Sequence, residues 1–286
     1  MKNIFLVSLL LCAHSLVSGQ YVKKIDSVKI KIYIIGVVHS ENKFRNTDGL
    51  LNILKDIKPD LILAESDTLS GYFKANYSLV EPPNWYKLAR KINAGRRMTP
   101  EMDVLYKYRE VNDSVLIFPF DMKIKNRKIY ITSRNKKENK WVSSLNSAFS
   151  NNLIPDSILP LHRDYIKYSN WLFEIGLGGY RMMNRTIVTD SVRGMMKLEE
   201  NYFPKVMNNV YSLSDFKSWY IESNKYWDLR NEVMAKNIIT LVEKSASKTV
   251  VVLTGFLHKY YLIDLLNSYN SEMKYEIVEY FENESK

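Results

Sequence analysis

The amino-acid sequence predicts an α/β protein in which a mixed β-sheet is flanked by helices. Two observations support this fold class. Short apolar strand segments alternate with amphipathic helical segments, and one unit of strand, Gly-x-x-His, helix and strand occurs twice, at residues 29–65 and 249–281. The repeated unit predicts two related halves of one sheet. The segment between the halves, at about residues 141–225, is predicted to be a largely helical insertion that covers the strand ends.

The first unit begins with a strand at residues 29–35, where polar and β-branched residues alternate before the run becomes wholly apolar. This pattern is typical of a strand that enters a sheet covered on both faces. Residues 48–57 have the apolar spacing of a helix with one buried face, and 61–64 form a second strand that ends in Glu65. His39 falls in the connection after the first strand, which a parallel sheet would place at its ligand-binding carboxyl edge.

The second unit has the same order of parts. A buried-type strand at residues 249–253 is followed by Gly255 and His258, then by a helical pattern around 262–266 and a closing strand at 275–281. A titratable side chain therefore stands at the same place in both units. This arrangement predicts two half-sites that face each other across one cavity.

Further polar side chains come from segments outside the two units. A third apolar strand, at residues 115–120, is followed directly by Asp121, so another carboxylate stands at a strand end. The clearest helical pattern, at residues 226–243, carries Arg230 and Asn231 near its start. An arginine that enters a pocket from the first turn of a helix can hold a carboxylate or stabilise an oxyanion.

The other segments between the units have helical patterns at residues 85–94, 100–111, 161–173 and 180–198. His162 lies in the third of these, and we expect it to be a core or surface residue rather than a ligand, because a lone histidine more often has a structural role.

The N-terminal residues 1–19 have one lysine, an apolar run and two small residues at the end, which is typical of a secretory signal. The apolar run is short for a permanent membrane anchor. We therefore expect an exported protein, periplasmic or secreted, with a single domain at residues 20–286. Cys12 is the one cysteine of the chain and lies in the expected signal segment. A mature protein that lacks it can have no disulfide, no thiolate metal site and no cysteine nucleophile.

The net charge of +10 arises from basic residues that are scattered along the chain. This distribution favours a general compositional bias, rather than binding of an anionic partner, as the explanation of the charge. The densest basic run, at residues 123–140, matches no nucleic-acid-binding module, so we expect a solvated loop there and no nucleic-acid partner. The Gly-Leu-Gly-Gly stretch at 176–179 follows no evident strand and has no lysine in the phosphate-loop position, which argues against a nucleotide site.

The motif residues of both units, together with the arginine and asparagine of the helix before the second unit, resemble those of the TraB/GumN and TIKI-type proteins. This superfamily is related more distantly to the erythromycin-esterase-like and ChaN-like proteins. The residues that carry the resemblance are Gly36-Val-Val-His39, Glu65, Arg230-Asn231 and Gly255-Phe-Leu-His258. The resemblance implies an α/β domain with two related halves around a mixed sheet.

The TIKI branch is described as metal-dependent proteases, so the resemblance implies a metal-dependent hydrolase of peptide, amide or ester bonds, and the signal-like N-terminus adds the expectation that this hydrolase is exported. It makes His39, Glu65 and His258 the candidate metal and catalytic set, with Arg230 and Asn231 as supporting catalytic groups. Two neutral imidazoles and a carboxylate can hold a divalent cation, whether Mn, Co, Zn or Fe, that activates a water molecule. Asp121 is expected as a fourth metal ligand or as a group that orients a histidine. The expected partner is a peptide or small-molecule substrate.

Two other functions fit the same residues. In a metal-free hydrolase, which the resemblance to erythromycin-esterase-like proteins allows, one histidine is the general base and Glu65 orients it. In a non-enzymatic exported protein, as in the ChaN branch, a histidine is an axial ligand of haem or binds iron.

Overall fold

The computed structural model describes residues 29–40, 44, 46–84, 87–88, 98–272 and 274–282. The expected signal segment at 1–19 and most of the helix expected at 85–94 lie outside the described residues. The predicted α/β class is confirmed, since a five-stranded sheet is flanked by helices.

All the strands of this sheet are parallel, in the order β3-β2-β4-β1-β5. The expectation of a mixed sheet was therefore wrong. A helix separates each strand from the next along the chain, and such a crossover returns the chain in the same direction. The strands are β1 (Ile30–Val37), β2 (Leu61–Ala64), β3 (Leu116–Pro119), β4 (Thr249–Gly255) and β5 (Tyr275–Val278).

The described residues form short and long helices between these strands. They are α1 (Thr47–Ile57), α2 (Pro100–Val111), α3 (Arg127–Ser150), α4 (Leu159–Leu177), α5 (Tyr180–Met183), α6 (Thr186–Asn209), α7 (Lys217–Ser245) and α8 (Phe256–Tyr269), with 3₁₀ turns at Tyr211–Phe216 and Tyr280–Glu282.

The two repeated units interlock at the centre of the sheet. β1 and β4 are neighbours, with Gly36 opposite Thr254 and Val37 opposite Gly255. The unit β1-α1-β2 passes over β4, and the unit β4-α8-β5 passes over β1. Alternate residues of each strand point to opposite faces, so α1 packs on one face through Leu50 and α8 on the other through Leu262. The chain segments that follow β1 and β4 therefore start side by side.

Local interactions determine where α1 begins and where it ends. The side chain of Asn46 accepts a hydrogen bond from the amide of Gly49 at 2.8 Å, as an N-cap does. Lys58 at the other end has φ 53°, and its amide donates to the carbonyl of Leu54. In α2 the predicted capping position, Thr99, makes no side-chain bond to the helix, although Pro100 begins the helix as expected.

Helices α3 to α7 form the predicted helical insertion and extend it in both directions. The basic run at residues 123–140, expected as a loop, is helical from Arg127 as the first part of α3, whose buried residues Trp141, Leu145 and Ala148 follow the run and pack into a separate core. His162 belongs to this part of the protein. It is buried, stacks on Phe149 and bonds through Nδ1 to the hydroxyl of Tyr202 at 2.6 Å, so it lies in a core, which is one of the two places expected for it.

Among the described residues, no helix combines the length and the hydropathy that crossing a bilayer requires.

Candidate active site

The two motif histidines meet beside the second glycine of the repeat. A Cβ atom placed on Gly255 would lie 3.4 Å from Oε2 of Glu65, 3.5 Å from Cδ2 of His258 and 3.8 Å from Nε2 of His39. Three side chains from the ends of β1 and β2 and from the start of α8 thus surround a single point at the carboxyl edge of the sheet. The structure brings together His39, Glu65 and His258 as the sequence predicts.

The glycines explain the Gly-x-x-His spacing. A Cβ on Gly36 would lie 2.9 Å from Cβ of Phe256, closer than real Cβ atoms approach their neighbours, and 3.0 Å from Cα of the same residue. The first glycine of one unit therefore lets the backbone of the other unit come close, and Gly255 leaves space among the polar groups. The two histidines are not equivalent, however. His39 lies in a bend after β1, whereas His258 lies in the first turn of α8 and not in the expected loop.

Arg230 is the centre of the buried polar network. Its Nε and Nη2 donate to the two carboxylate oxygens of Asp121, both at 2.9 Å, and Nη2 also donates to Oε1 of Glu65 at 2.5 Å. Its Nη1 donates to Nε2 of His258 at 2.9 Å. Burial disfavours the charged guanidinium, but bonds and charge from Asp121 and Glu65 outweigh this cost and raise the pKa of Arg230 above its ordinary value.

His258 is held as a neutral imidazole with a defined tautomer. The side-chain amide of Asn231 donates to the carbonyl of Trp227 at 2.8 Å, so its oxygen faces His258 and accepts from Nδ1, also at 2.8 Å. The proton is therefore on Nδ1, and Nε2 is the acceptor that receives the Arg230 bond. Trp227 covers the ring, stacked at 4.1 Å between centroids. Burial lowers the pKa of His258 to about 4.

Glu65 is an ionised carboxylate with both oxygens bonded. Oε2 accepts from the Thr254 hydroxyl at 2.7 Å and from the Gly255 amide at 2.5 Å, and Oε1 accepts from Arg230. Burial opposes ionisation, but the charge of Arg230 and the hydrogen bond from the Gly255 amide outweigh it and hold the pKa of Glu65 at about 2. Glu65 therefore serves as an acceptor and counter-ion at neutral pH.

His39 is the accessible histidine of the pair. Its side chain is 53% exposed, and its Nδ1 lies 2.5 Å from Oε1 of Glu101, whose side chain is only 9% exposed. The hydrogen bond to Glu101, assisted by the charges of Glu101 and Glu65, raises the pKa of His39 above its ordinary value despite partial burial. With Nδ1 bound to a carboxylate, Nε2 is the nitrogen that faces Gly255. A histidine oriented in this way is suited to accept a proton.

Asp121 lies behind Arg230 in the same network. It is fully buried, and its Oδ2 also contacts Nη1 of Arg127 at 2.8 Å. Arg127 in turn contacts the buried carboxylate of Asp67 at 3.2 Å. The structure thus joins Asp121 to Glu65 through a shared arginine, and two further charges extend the network along the strand ends.

Three side chains that were predicted to bind a metal accept hydrogen bonds from the guanidinium of Arg230 instead. Glu65, Asp121 and Nε2 of His258 all point at that one cation, and a divalent ion placed among them would face its positive charge. Throughout the part of the chain that the structure describes, no three His, Cys, Asp or Glu side chains are arranged to hold a metal ion.

Sequence reasoning missed Glu101, Asp67, Arg127 and Trp227. Glu101 is the second residue of α2, and acids are common in first helical turns because of the helix dipole, so its position carried no distinguishing signal. Asp67 follows Glu65 by two residues at a predicted strand end, and that placement could have identified it. Arg127 was hidden in a segment predicted as loop.

Comparison of the chain with protein-family models, with curated proteins and with solved structures finds no match in any of the three. The resemblance to TraB/GumN and TIKI-type proteins therefore stays a prediction.

Proposed function

We propose that the protein is a hydrolase of ester, amide or peptide bonds in which His39 is the general base. The observation that carries the proposal is the pair of His39 and Glu101, with one ring nitrogen bound to a buried carboxylate and the other facing the point where Glu65 and His258 converge. A neutral His39 takes a proton from water through Nε2 as the water attacks a carbonyl carbon. Glu101 stabilises the imidazolium that forms, and this imidazolium then gives the proton to the leaving alcohol or amine as the C–O or C–N bond of the substrate breaks.

Arg230 supplies positive charge to the same reaction. A guanidinium has five N–H groups, and four of them donate to Asp121, Glu65 and His258. The remaining N–H, on Nη1, has no acceptor among the residues that the structure describes. We assign it to the oxygen that becomes negative as water attacks. Glu65, Asp121 and His258 hold the guanidinium rigidly, so little reorganisation is needed during the reaction.

A metal-dependent hydrolase that binds a divalent ion through His39, Glu65, His258 and Asp121 is the main rival. In that mechanism Arg230 must first leave its three acceptors. Elemental analysis of protein purified without a histidine tag separates the two proposals. We expect substoichiometric metal and activity that survives a chelator. Stoichiometric metal together with chelator-sensitive activity would overturn the metal-free mechanism.

The activity itself is tested by screening ester and peptide libraries with wild-type protein, His39→Ala and Glu101→Gln. We expect His39→Ala to abolish turnover and Glu101→Gln to reduce it by about 10²-fold or more, within the usual range for general-base catalysis. The matched control is His162→Ala, which removes a histidine of the helical insertion and should leave turnover unchanged. Equal turnover in wild type and His39→Ala would refute the proposal. A haem Soret band lost in His39→Ala would favour the haem-binding alternative instead.

A further inference from the structure

The strand that leads to His39 runs beyond its neighbour at the edge of the sheet. β1 pairs with β5 only as far as Tyr33, which lies opposite Val278, whereas β1 itself continues to Val37. Past that point a backbone amide and carbonyl of β1 that face the β5 side have no strand to bond to among the described residues. Buried backbone groups need such partners.

The side chain of Asn184 replaces the missing strand. The amide of Gly36 donates to Oδ1 of Asn184 at 2.6 Å, and Nδ2 of Asn184 donates to the carbonyl of Gly36 at 2.9 Å. One carboxamide thus makes the two bonds that two successive peptide groups of a neighbouring parallel strand would make. Asn184 is 1% exposed and belongs to the helical insertion, directly after α5.

Asn184 is itself held in place from the second unit. Nζ of Lys259, the residue after His258, donates to the carbonyl of Asn184 at 3.0 Å and to Glu279 at 2.8 Å. Nδ2 of Asn184 also donates to the carbonyl of Tyr180 at 2.9 Å. The same residue therefore contacts the backbone before one motif histidine and the side chain that follows the other.

We infer that Asn184 is a positioning residue for His39: its carboxamide fixes the end of β1 and so sets where the imidazole stands relative to Glu101. Gly36 precedes His39 by three residues. The Ser40 amide donates to the carbonyl of Val38 at 2.7 Å and closes a tight turn around His39, so the position of Gly36 determines the position of His39. The catalytic consequence rests on the proposed function, but the placement of the ring does not.

The experiment compares wild type, Asn184→Ala and a matched control, Asn270→Ala. Asn270 makes the same two-way contact with a backbone, through Nδ2 to the carbonyl of Tyr275 at 2.7 Å and Oδ1 to its amide at 3.5 Å, but at the start of β5. The readout is the titration of His39 in ¹⁵N-histidine-labelled protein, with His39→Gln used to assign the signal. Hydrolysis, where present, is measured in parallel as kcat and KM.

We expect Asn184→Ala to move the His39 titration midpoint down towards 6.5, the ordinary pKa of histidine, as the bond to Glu101 loosens. We expect kcat to fall by about tenfold, the effect of a catalytic group displaced from its productive position, with KM nearly unchanged. Asn270→Ala should change neither quantity. If Asn184→Ala does not fold, Asn184→Asp decides, since it keeps the acceptor for the Gly36 amide and loses the donor to its carbonyl.

A folded Asn184 variant with the wild-type titration midpoint overturns the inference. A shifted midpoint in a protein that hydrolyses nothing would retain Asn184 as a positioning residue and reject the proposed hydrolase. The two failures are therefore distinguishable.

Discussion

Replacing Arg230 with methionine tests whether the buried network has the energetic weight that its geometry implies. The substitution keeps an unbranched side chain and removes the cation shared by Glu65, Asp121 and His258. Removing one partner of a buried ion pair costs about 3–5 kcal/mol, because the other charge stays buried without compensation. Here Asp121 retains Arg127 and Glu65 retains Thr254 and the Gly255 amide. We therefore expect a loss near the lower end, about 3 kcal/mol.

The assay is urea unfolding at pH 7, where a loss of this size lowers the midpoint by about 1 M or more, given typical urea dependences of about 1–3 kcal/mol per M. Arg193→Met is the matched control. Arg193 also binds a carboxylate with two nitrogens, Asp264 at 2.9 and 2.7 Å, but that carboxylate is 48% exposed. Exposed pairs contribute about 0–1 kcal/mol.

If Arg230→Met and Arg193→Met unfold at the same urea concentration, the reasoning from burial is refuted. The pH dependence gives a second check. Without the guanidinium, Glu65 can relieve its burial by taking up a proton, so the loss of stability in Arg230→Met relative to wild type should shrink from pH 7 to pH 5. A deficit that grows over this interval would contradict the assigned role.

Three further predictions concern single groups of the site. Glu101→Gln should lower the His39 titration midpoint by ¹⁵N NMR, because the carboxylate that raises this pKa is gone; an unchanged midpoint would mean that another group raises it. Gly36→Ala should lower the melting temperature, since its methyl would meet the Phe256 backbone, at a typical cost for overpacking of about 1–3 kcal/mol, whereas Gly255→Ala has contacts of 3.4 Å or longer and should fold normally with reduced turnover. The opposite ranking in differential scanning fluorimetry would show that the two glycines have other roles. His258→Gln should flatten the loss of stability between pH 6.5 and 4 in urea unfolding. In that window the unfolded chain protonates this histidine but the folded protein, with a pKa of about 4, does not, so stability falls as the pH falls. An equal slope in the variant would assign the loss to other groups.

The secondary structure could be predicted because its signals are local. The apolar spacing of residues 48–57 and 226–243 places α1 and the second half of α7, and Pro100 marks the start of α2. The direction of the strands could not be read in the same way. β5 pairs with β1, which lies more than two hundred residues earlier in the chain. No local sequence pattern encodes this pairing or the relative direction of the two strands.

Most residues of the site could be predicted from the sequence, but the contacts between them could not. The shared Gly-x-x-His spacing identified His39 and His258, and both motifs do meet at Gly255. That Arg230 is the central cation follows from side-chain directions, which periodicity does not specify. Glu101 escaped notice because an acid in a first helical turn is ordinary until the fold places it against a histidine.

The position of β4 has a consequence for how the molecule is assembled. It is the strand that joins the pair β3–β2 to the pair β1–β5, and it comes late in the chain. Until residues 249–255 are in place, the two pairs have no shared hydrogen-bonded neighbour. Contacts between such distant positions slow the search for the native arrangement. We therefore expect the helices between β3 and β4 to form before β4 is inserted between β2 and β1. The polar cluster of Glu65, Asp121, Arg230 and His258 should then form in the final step of folding.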